Sequence, residues 1–288
     1  MIIANNWKEY ELLDCGDGAK LEKWGSGPDN FILSRPDPQI LWPKEKPELW
    51  QKTDGVYMRS PSGGGSWKFK RELPERWQVK YGSLKFWVRP TDFKHMGLFP
   101  EQAANWDWIT NLIKGAGREV SVLNLFAYTG GATVASAMAG AKVCHVDASK
   151  GINAWAKDNV LLNNPEDKNV RYIVDDVLKF VQREARRGNK YDAIIMDPPS
   201  YGRGTNGETW KIEKMLWPLM TSCCEILSDK PLFFLINSYT TGLGATVIGN
   251  VLESAMKNYG GKTTADEIAL PITDSKKVLP AGISARWA

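Results

Sequence analysis

Four short stretches carry side chains whose types and spacing could do chemistry. The first is Phe126-Ala127-Tyr128-Thr129-Gly130-Gly131, which follows the apolar residues Val120, Val122, Leu123 and Leu125 and opens an alanine-rich segment. The second is Asp147, at the end of the apolar run 142–146. A strand, a glycine turn, a helix and a second strand tipped by an acid make a nucleotide-binding unit. Its glycines let the backbone approach a ligand, and its acid accepts hydrogen bonds from a ribose diol. A dinucleotide site would need G-x-G-x-x-G so that a pyrophosphate could reach the helix N-terminus; here bulky groups stand where the first glycine should be. The third is Asp175-Asp176, where adjacent acids after a strand either meet a ligand or cap the next helix. The fourth, Asp197-Pro198-Pro199-Ser200-Tyr201, follows the run 191–196, at the end of a strand where open α/β sheets bind ligands. Two prolines remove two amide donors and fix the carbonyl directions. Carbonyls at a strand tip can hold an exocyclic amine, and a ring beside them can stack on a flipped base.

These residues need a frame. From residue 120 onward apolar runs and helical segments alternate, which predicts a parallel sheet flanked by helices. Strands are expected at 120–126, 142–147, 170–174, 191–196, 232–237, 267–270 and 283–287, the last two as a possible antiparallel pair. Helices are expected at 132–139, 150–163, 176–187, 208–227 and 245–259. Asp147 could also cap the helix at Lys150. Before this lies a helix at 103–114 and a hairpin, 77–81 and 84–88, around Gly82-Ser83. Residues 1–66 are rich in Gly, Pro and Trp, with polar–apolar alternation at 10–14, 31–34 and 39–42, and read as a small β-rich unit. Pro61-Ser62-Gly63-Gly64-Gly65-Ser66 reads as a linker or a hairpin tip.

The turn at 124–131 resembles motif I of the class I S-adenosylmethionine (SAM) methyltransferases, in the F-x-Y-T-G-G form of RNA-base methyltransferases. The block at 197–201 resembles motif IV (D/N-P-P-Y/F) of nucleic-acid amino-methyltransferases, with Ser200 inserted before the aromatic. From about residue 81 to 287 the chain is similar to a family of large-subunit ribosomal-RNA base methyltransferases. Further matching stretches are Gly97-Leu98-Phe99-Pro100-Glu101-Gln102, Val146-Asp147-Ala148-Ser149 and Asn159-x-x-Leu162-Asn163. The resemblance implies an α/β fold: a Rossmann-like sheet with a reversed last strand in a domain over 67–288, entered through a basic hairpin and helix at 67–118. It implies SAM as cofactor and RNA, ribosomal by analogy, as partner. By the same analogy Phe126, Ala127, Tyr128, Gly130, Gly131, Asp147, Ala148, Ser149 and Asp197 contact the cofactor. Asp176, with Val177, meets the adenine, and the segment with Phe99 and Gln102 folds over the cofactor. Asp197, Pro198, Pro199 and Tyr201 hold the acceptor. Residues 1–66 do not match the RNA-binding PUA module of well-known members.

One departure bears on mechanism. Cytosine C5-methyltransferases of this kind use a cysteine in motif IV or after the next strand, where this chain has Ser200 and Ser238. A serine hydroxyl is a far weaker nucleophile than a thiolate. Cys223 and Cys224 fall on the preceding helix and read as core. Transfer to nitrogen, or to oxygen, is therefore expected, since it needs alignment more than a nucleophile. A protein side-chain methyltransferase, which typically reads N-P-P-Y, and a non-catalytic SAM-binding protein are the other readings.

Composition narrows the classes. A chain of 288 residues can form one large domain, or one with an appendage. No apolar run approaches the ~20 residues of a membrane span. The first residues lack the basic and apolar regions of a signal peptide. Four cysteines without C-x-x-C spacing fit reduced thiols in a cytoplasmic protein and no metal site. The net charge is +4, but residues 66–94 alone hold eight bases and three acids, +5, so the rest sums to about −1. Trp67, Phe69, Trp77, Tyr81, Phe86 and Trp87 are interleaved with those bases. The pattern suits single-stranded nucleic acid, and equally a strand pair with a solvated basic face and an aromatic core face.

Overall fold

The computed structural model describes residues 1–60, 64–164, 166, 169–203 and 209–288. The chain divides into two compact units, one made of Ile3–Ala103 with Ala269–Pro280, the other of Ala104–Ile268 with Met1–Ile2 and Ala281–Ala288.

After the short β1 (Ile2–Ile3), the first unit contains β2 (Tyr10–Gly16), β3 (Ala19–Trp24), β4 (Phe31–Pro36), the one-turn helix α1 (Pro47–Trp50), β5 (Gly55–Arg59) and β6 (Gly65–Phe69). Strands β2 to β6 form one sheet in sequence order, with β6 at its edge. Asp17-Gly18, both at positive φ, closes the β2–β3 hairpin. The alternation at 39–42 does not become a strand. Flanked by Pro38 and Pro43, this segment spends its carbonyls on that turn: the amides of Asp17 and Gly18 donate to Trp42 and Ile40 at 2.8 and 3.1 Å. Strands β5 and β6 pair across residue 66, Met58 opposite Ser66, so chain on both sides of that position belongs to one sheet. Pro61-Ser62-Gly63, expected as a linker or hairpin tip, lies outside the described residues.

The hairpin expected at 77–88 forms as β7 (Trp77–Tyr81) and β8 (Leu84–Val88). It takes the second of the forms expected of the basic, aromatic stretch, a strand pair with an aromatic core face and a solvated basic face. Trp77, Val79, Tyr81, Phe86 and Val88 turn inward and are buried, while Lys80 and Lys85 point out. A buried ion pair ties β3 to β4: Arg35 donates from Nε and Nη2 to Glu22 at 2.5 and 2.6 Å, and Tyr10 donates to the same carboxylate at 2.9 Å. Burial opposes a charged Glu22, but the Arg35 and Lys20 cations and the hydrogen bonds outweigh it and hold the carboxyl below its usual range. This contribution is present above the unfolded carboxyl's pKa and is lost as pH falls through the lower folded value. Glu22→Gln leaves the Arg35 charge buried without its partner. It is expected to cost about 3–5 kcal/mol in urea unfolding.

The second unit contains α2 (Ala103–Gly115), β9 (Ser121–Leu125), α3 (Gly131–Met138), β10 (Lys142–Asp147), α4 (Lys150–Asn163), β11 (Val170–Val174), α5 (Val177–Arg186) and β12 (Ala193–Met196). There follow β13 (Tyr201–Arg203), β14 (Thr209–Lys211), α6 (Ile212–Glu225), β15 (Phe233–Ser238), α7 (Ala245–Met256), β16 (Thr263–Pro271) and β17 (Val278–Trp287). Among the described residues eight strands form one sheet, in the order β1-β16-β17-β15-β12-β9-β10-β11. β11, β10, β9, β12 and β15 run parallel, and β17 returns antiparallel to β15. This is the sheet expected from the sequence, with the last strand reversed. Every residue of β12 and β15 is buried, as central parallel strands covered on both faces must be. One expectation fails: the helix placed at 208–227 begins only at Ile212, because the antiparallel pair β13–β14 comes first. Glu208 itself lies outside the described residues.

Candidate active site

The parallel register brings the four stretches to one edge of the sheet. Leu125 pairs with both Val146 and Met196, Asp147 with Val174, and Met196 with Ile236. The residues one step past Val146, Leu125, Met196 and Ile236 therefore form a row, Asp147, Phe126, Asp197 and Asn237, with Val174 beside Asp147 and Asp175 one step further on. The chain leaves β9 for β10 on one side and reaches β12 on the other, so the row straddles the point where strand order reverses. Crevices at such points hold ligands.

Asp147 is the hub of the row. Its carboxylate accepts the amides of Tyr128 at 3.0 Å and of Ser149 at 2.9 Å, joining the turn after β9 to the start of α4. Burial raises its pKa, and those two amides partly oppose the rise. The cap of α4 is Ser149, whose hydroxyl accepts from Ile152, so Asp147 is not spent on that task. Ala148, half-buried, links the two. Asn153 donates its amide to the carbonyls of Asp147 and Ser149, both at 3.0 Å.

The turn itself has an unusual backbone. Phe126, Tyr128 and Gly130 all stand at positive φ, 52°, 51° and 84°. For Phe and Tyr such a conformation costs of order 1–3 kcal/mol and persists only where surroundings impose it. Here the amide of Ala127 donates to Val146 at 3.1 Å, and Asn159 donates to the Thr129 carbonyl at 2.8 Å. Gly130 is required twice, by its φ and because a Cβ there would stand 3.0 Å from that of Ala156. At Gly131 a Cβ would meet the Trp106 ring at 2.7 Å, so glycine lets α2 close on the start of α3. Beneath the turn, Asn124 donates to Thr133 at 2.9 Å, and Thr133 bonds His145 Nδ1 at 2.8 Å. Burial drives the His145 pKa down to about 3, which makes this ring a neutral structural group and not a base.

The Asp197–Tyr201 loop is clamped from outside. Trp210, on β14, donates its indole N–H to the Pro199 carbonyl at 2.6 Å and sets its ring edge-on to Phe126, centroids 4.9 Å apart. The Ser200 carbonyl accepts the Ile212 amide at 3.2 Å, and its hydroxyl bonds Thr240 at 2.7 Å. Two carbonyls of the loop are thus committed within the protein. Pro198 is buried, Asp197 is half-buried, and Tyr201 is 51% exposed on β13.

The remaining expected residues fall in other roles or places. Asp176 caps α5, accepting from Lys179 at 2.9 Å, while Asp175 pairs with Arg183. The Val177 side chain packs into the core. Phe99, which caps the single turn Pro100–Gln102, and the buried Gln102 belong to the other compact unit. Cys223 is fully buried and Cys224 donates to the Ala255 carbonyl at 3.5 Å. Burial pushes both thiols up, that of Cys224 to about 11. Asn153, Asn159, Thr240 and Trp210 were not expected in the site. For Trp210 a signal exists: Asn206-Gly207, a hairpin-turn dipeptide, sits between two short aromatic segments. Among the described residues no helix is long and apolar enough to cross a membrane, and no group of three His, Cys, Asp or Glu is placed to hold a metal ion.

Comparison with known proteins gives consistent findings. The family model described as S-adenosylmethionine-dependent methyltransferase matches residues 57–233. A solved SAM-dependent methyltransferase from Agrobacterium tumefaciens is 37% identical with a TM-score of 0.93, covering 99% of this chain and 92% of that one. A methyltransferase solved in complex with SAH has a TM-score of 0.74 at 21% identity, over 99% of this chain and 76% of its own. Among curated proteins, the ribosomal RNA large subunit methyltransferase K/L of Syntrophotalea carbinolica is 33% identical over 152 residues, 52% of this chain. The match spans only a fifth of that relative's length.

Proposed function

We propose that this chain, which belongs to the S-adenosylmethionine-dependent methyltransferase family, methylates a nitrogen of an RNA base, in ribosomal RNA. The observation that carries the reading is the in-register row at the sheet's edge, which sets Asp147, the turn after β9 and the Asp197 loop side by side. RNA is supported by the resemblance of that loop to the motif of nucleic-acid amino-methyltransferases, and by the name of the K/L relatives.

The residues fit SAM. Asp147 offers a half-buried carboxylate to ribose hydroxyls, its own shape fixed by two amides. Positive φ at three residues gives 126–130 its tight backbone, and the missing Cβ of Gly130 lets the turn pack on α4. Gly131, Ala148 and Ser149 directly follow Gly130 and Asp147 in the chain, and Asp176 with the backbone of Val177 would meet the adenine. When bound, SAM supplies a methyl group already activated on a cationic sulfur. The chain must then align an acceptor lone pair and exclude water.

That alignment falls to few groups. An amino group of the acceptor is held at the strand tip by Asp197 and Pro198, with Tyr201 stacking on the base. Nitrogen is favoured over carbon because Ser200 and Ser238 spend their hydroxyls on Thr240, and the thiols of α6 are packed and protonated. Trp210→Phe keeps the ring against Phe126 but loses the bond to Pro199. It is expected to cut transfer up to about tenfold with SAM affinity unchanged, the scale of one neutral hydrogen bond.

The test is incorporation of tritiated methyl from SAM into ribosomal RNA from cells lacking the gene, followed by mass spectrometry of the nucleosides. An N-methylated base restored by the protein is expected. Label that enters ribosomal protein instead, or cytosine C5, would overturn the reading.

A further inference from the structure

We propose that the edge strand β6 carries a stacking platform for single-stranded RNA, formed by Trp67 and Phe69 and served by Arg59. The inference rests on the RNA reading above and assigns to the first unit a role within it.

The two rings lie nearly parallel, 5° apart in plane with centroids at 5.7 Å. Each is fixed from behind. Phe69 lies flat on the backbone of Gly55, where a Cβ would come within 2.6 Å of its ring, so the strand partner is glycine to seat it. Trp67 donates its indole N–H to the Thr91 carbonyl at 2.9 Å and takes the Tyr57 ring edge-on at 5.5 Å. Tyr57 in turn donates to the Asp92 carbonyl at 3.2 Å. Phe69 is nevertheless 46% exposed, and Phe93, in the loop those two bonds hold, is 69% exposed. Flat aromatic surface kept rigid at a sheet edge yet left in water marks a contact surface, and any base can stack on it with little further ordering.

Charge selects the occupant. The segment from 66 to 94 carries +5 against −1 for the rest of the chain, so this region attracts a polyanion. Not all its cations are available. Arg71 pairs with Asp54 at 2.7 Å and lies over Phe31, and Lys70 donates to the Gln51 carbonyl. Lys68, between Trp67 and Phe69 on β6, belongs to the opposite face; Arg59, exposed and two residues beyond Tyr57 on the platform's own face of the neighbouring strand, remains to meet a phosphate. The nearby acids are Asp54, held by Arg71, the exposed Asp92 beside Phe93, and the exposed Glu72 and Glu75, the last 3.8 Å from Arg89.

The experiment is fluorescence anisotropy of a labelled 12-nucleotide oligouridylate and of a 12-base-pair RNA duplex, across a salt series. Phe69→Leu keeps an apolar cover on Gly55 but has no ring, and is expected to weaken the single strand about tenfold. Phe69→Tyr should restore it. Arg59→Ala should lower the salt slope by about 0.7, one single-strand phosphate contact. A cooperative urea-unfolding transition and unchanged calorimetric SAM binding in all three variants report that both units are folded. Single-strand affinity unaffected by Phe69→Leu, or a wild type that binds the duplex as well as the single strand, overturns the platform. If such a wild type still methylates ribosomal RNA, the platform alone has failed; if methyl reaches no RNA, the functional reading has failed with it.

Discussion

Asp147→Ala is expected to lose about 1.5–3 kcal/mol of SAM affinity, the range for a charge-assisted hydrogen bond whose partners are left buried. Calorimetric titration of wild type and variant measures it directly, and equal affinities in a folded variant would remove this acid from the site. Two things are lost together in the variant: the acceptor for the ribose, and the bridge between Tyr128 and Ser149. The pH dependence separates them. Burial raises the Asp147 pKa, so its charge is lost at a higher pH than for an ordinary aspartate. SAM affinity should fall as pH drops through that raised value. The fold should not weaken there through this group, because a carboxyl whose folded pKa exceeds its unfolded one binds its proton more tightly in the native state. Titrations at several pH values, paired with thermal unfolding, would show affinity declining ahead of stability.

The largest effect on turnover is expected from Asp197→Ala, a loss of a hundredfold or more in methyl transfer with SAM still bound. A displacement of about 1 Å between reacting atoms is enough for such a drop. Cys223→Ser and Cys224→Ser should keep nearly full activity, with modest destabilisation where a hydroxyl is buried at Cys223. The contrast between these variants decides the mechanism. Incubation with RNA carrying 5-fluorocytosine traps any enzyme that attacks the ring covalently. A trapped complex that disappears on changing one cysteine would establish carbon methylation and overturn the nitrogen reading.

The elements that hold this site could be read from the chain because each obeys a short-range rule. Val122 to Leu125 is a buried strand by composition, Gly130 and Gly131 mark a turn, and Asp147 and Asp197 stand one residue past apolar runs. Parallel pairing then fixed their neighbourhood, since strands in register end together. What local rules do not encode is who spends which hydrogen bond. Nothing in Asp197-Pro198-Pro199-Ser200 tells that the last two carbonyls are taken, because their donors, Trp210 on β14 and Ile212 at the start of α6, lie in a stretch that reads as part of one helix. Residue types alone do not separate Asp175 from Asp176, and the resemblance names Asp176; the structure pairs the first with Arg183 and gives the second the cap of α5. The alternation at 39–42 misled for a related reason, since flanking prolines turned a strand-like pattern into a cover for a turn.

Trp210 touches both Phe126 and Pro199, which the proposed function places on the cofactor and the acceptor, and under that proposal the two ligands are not bound independently. Whatever free energy SAM spends or gains in setting Phe126 is transmitted to the loop that receives the base, and thermodynamic linkage requires the base to return the same factor to SAM. The enzyme should therefore show cooperativity between two substrates that touch different strands. A Trp210→Ala variant, which breaks both contacts, should bind each one with an affinity indifferent to the other.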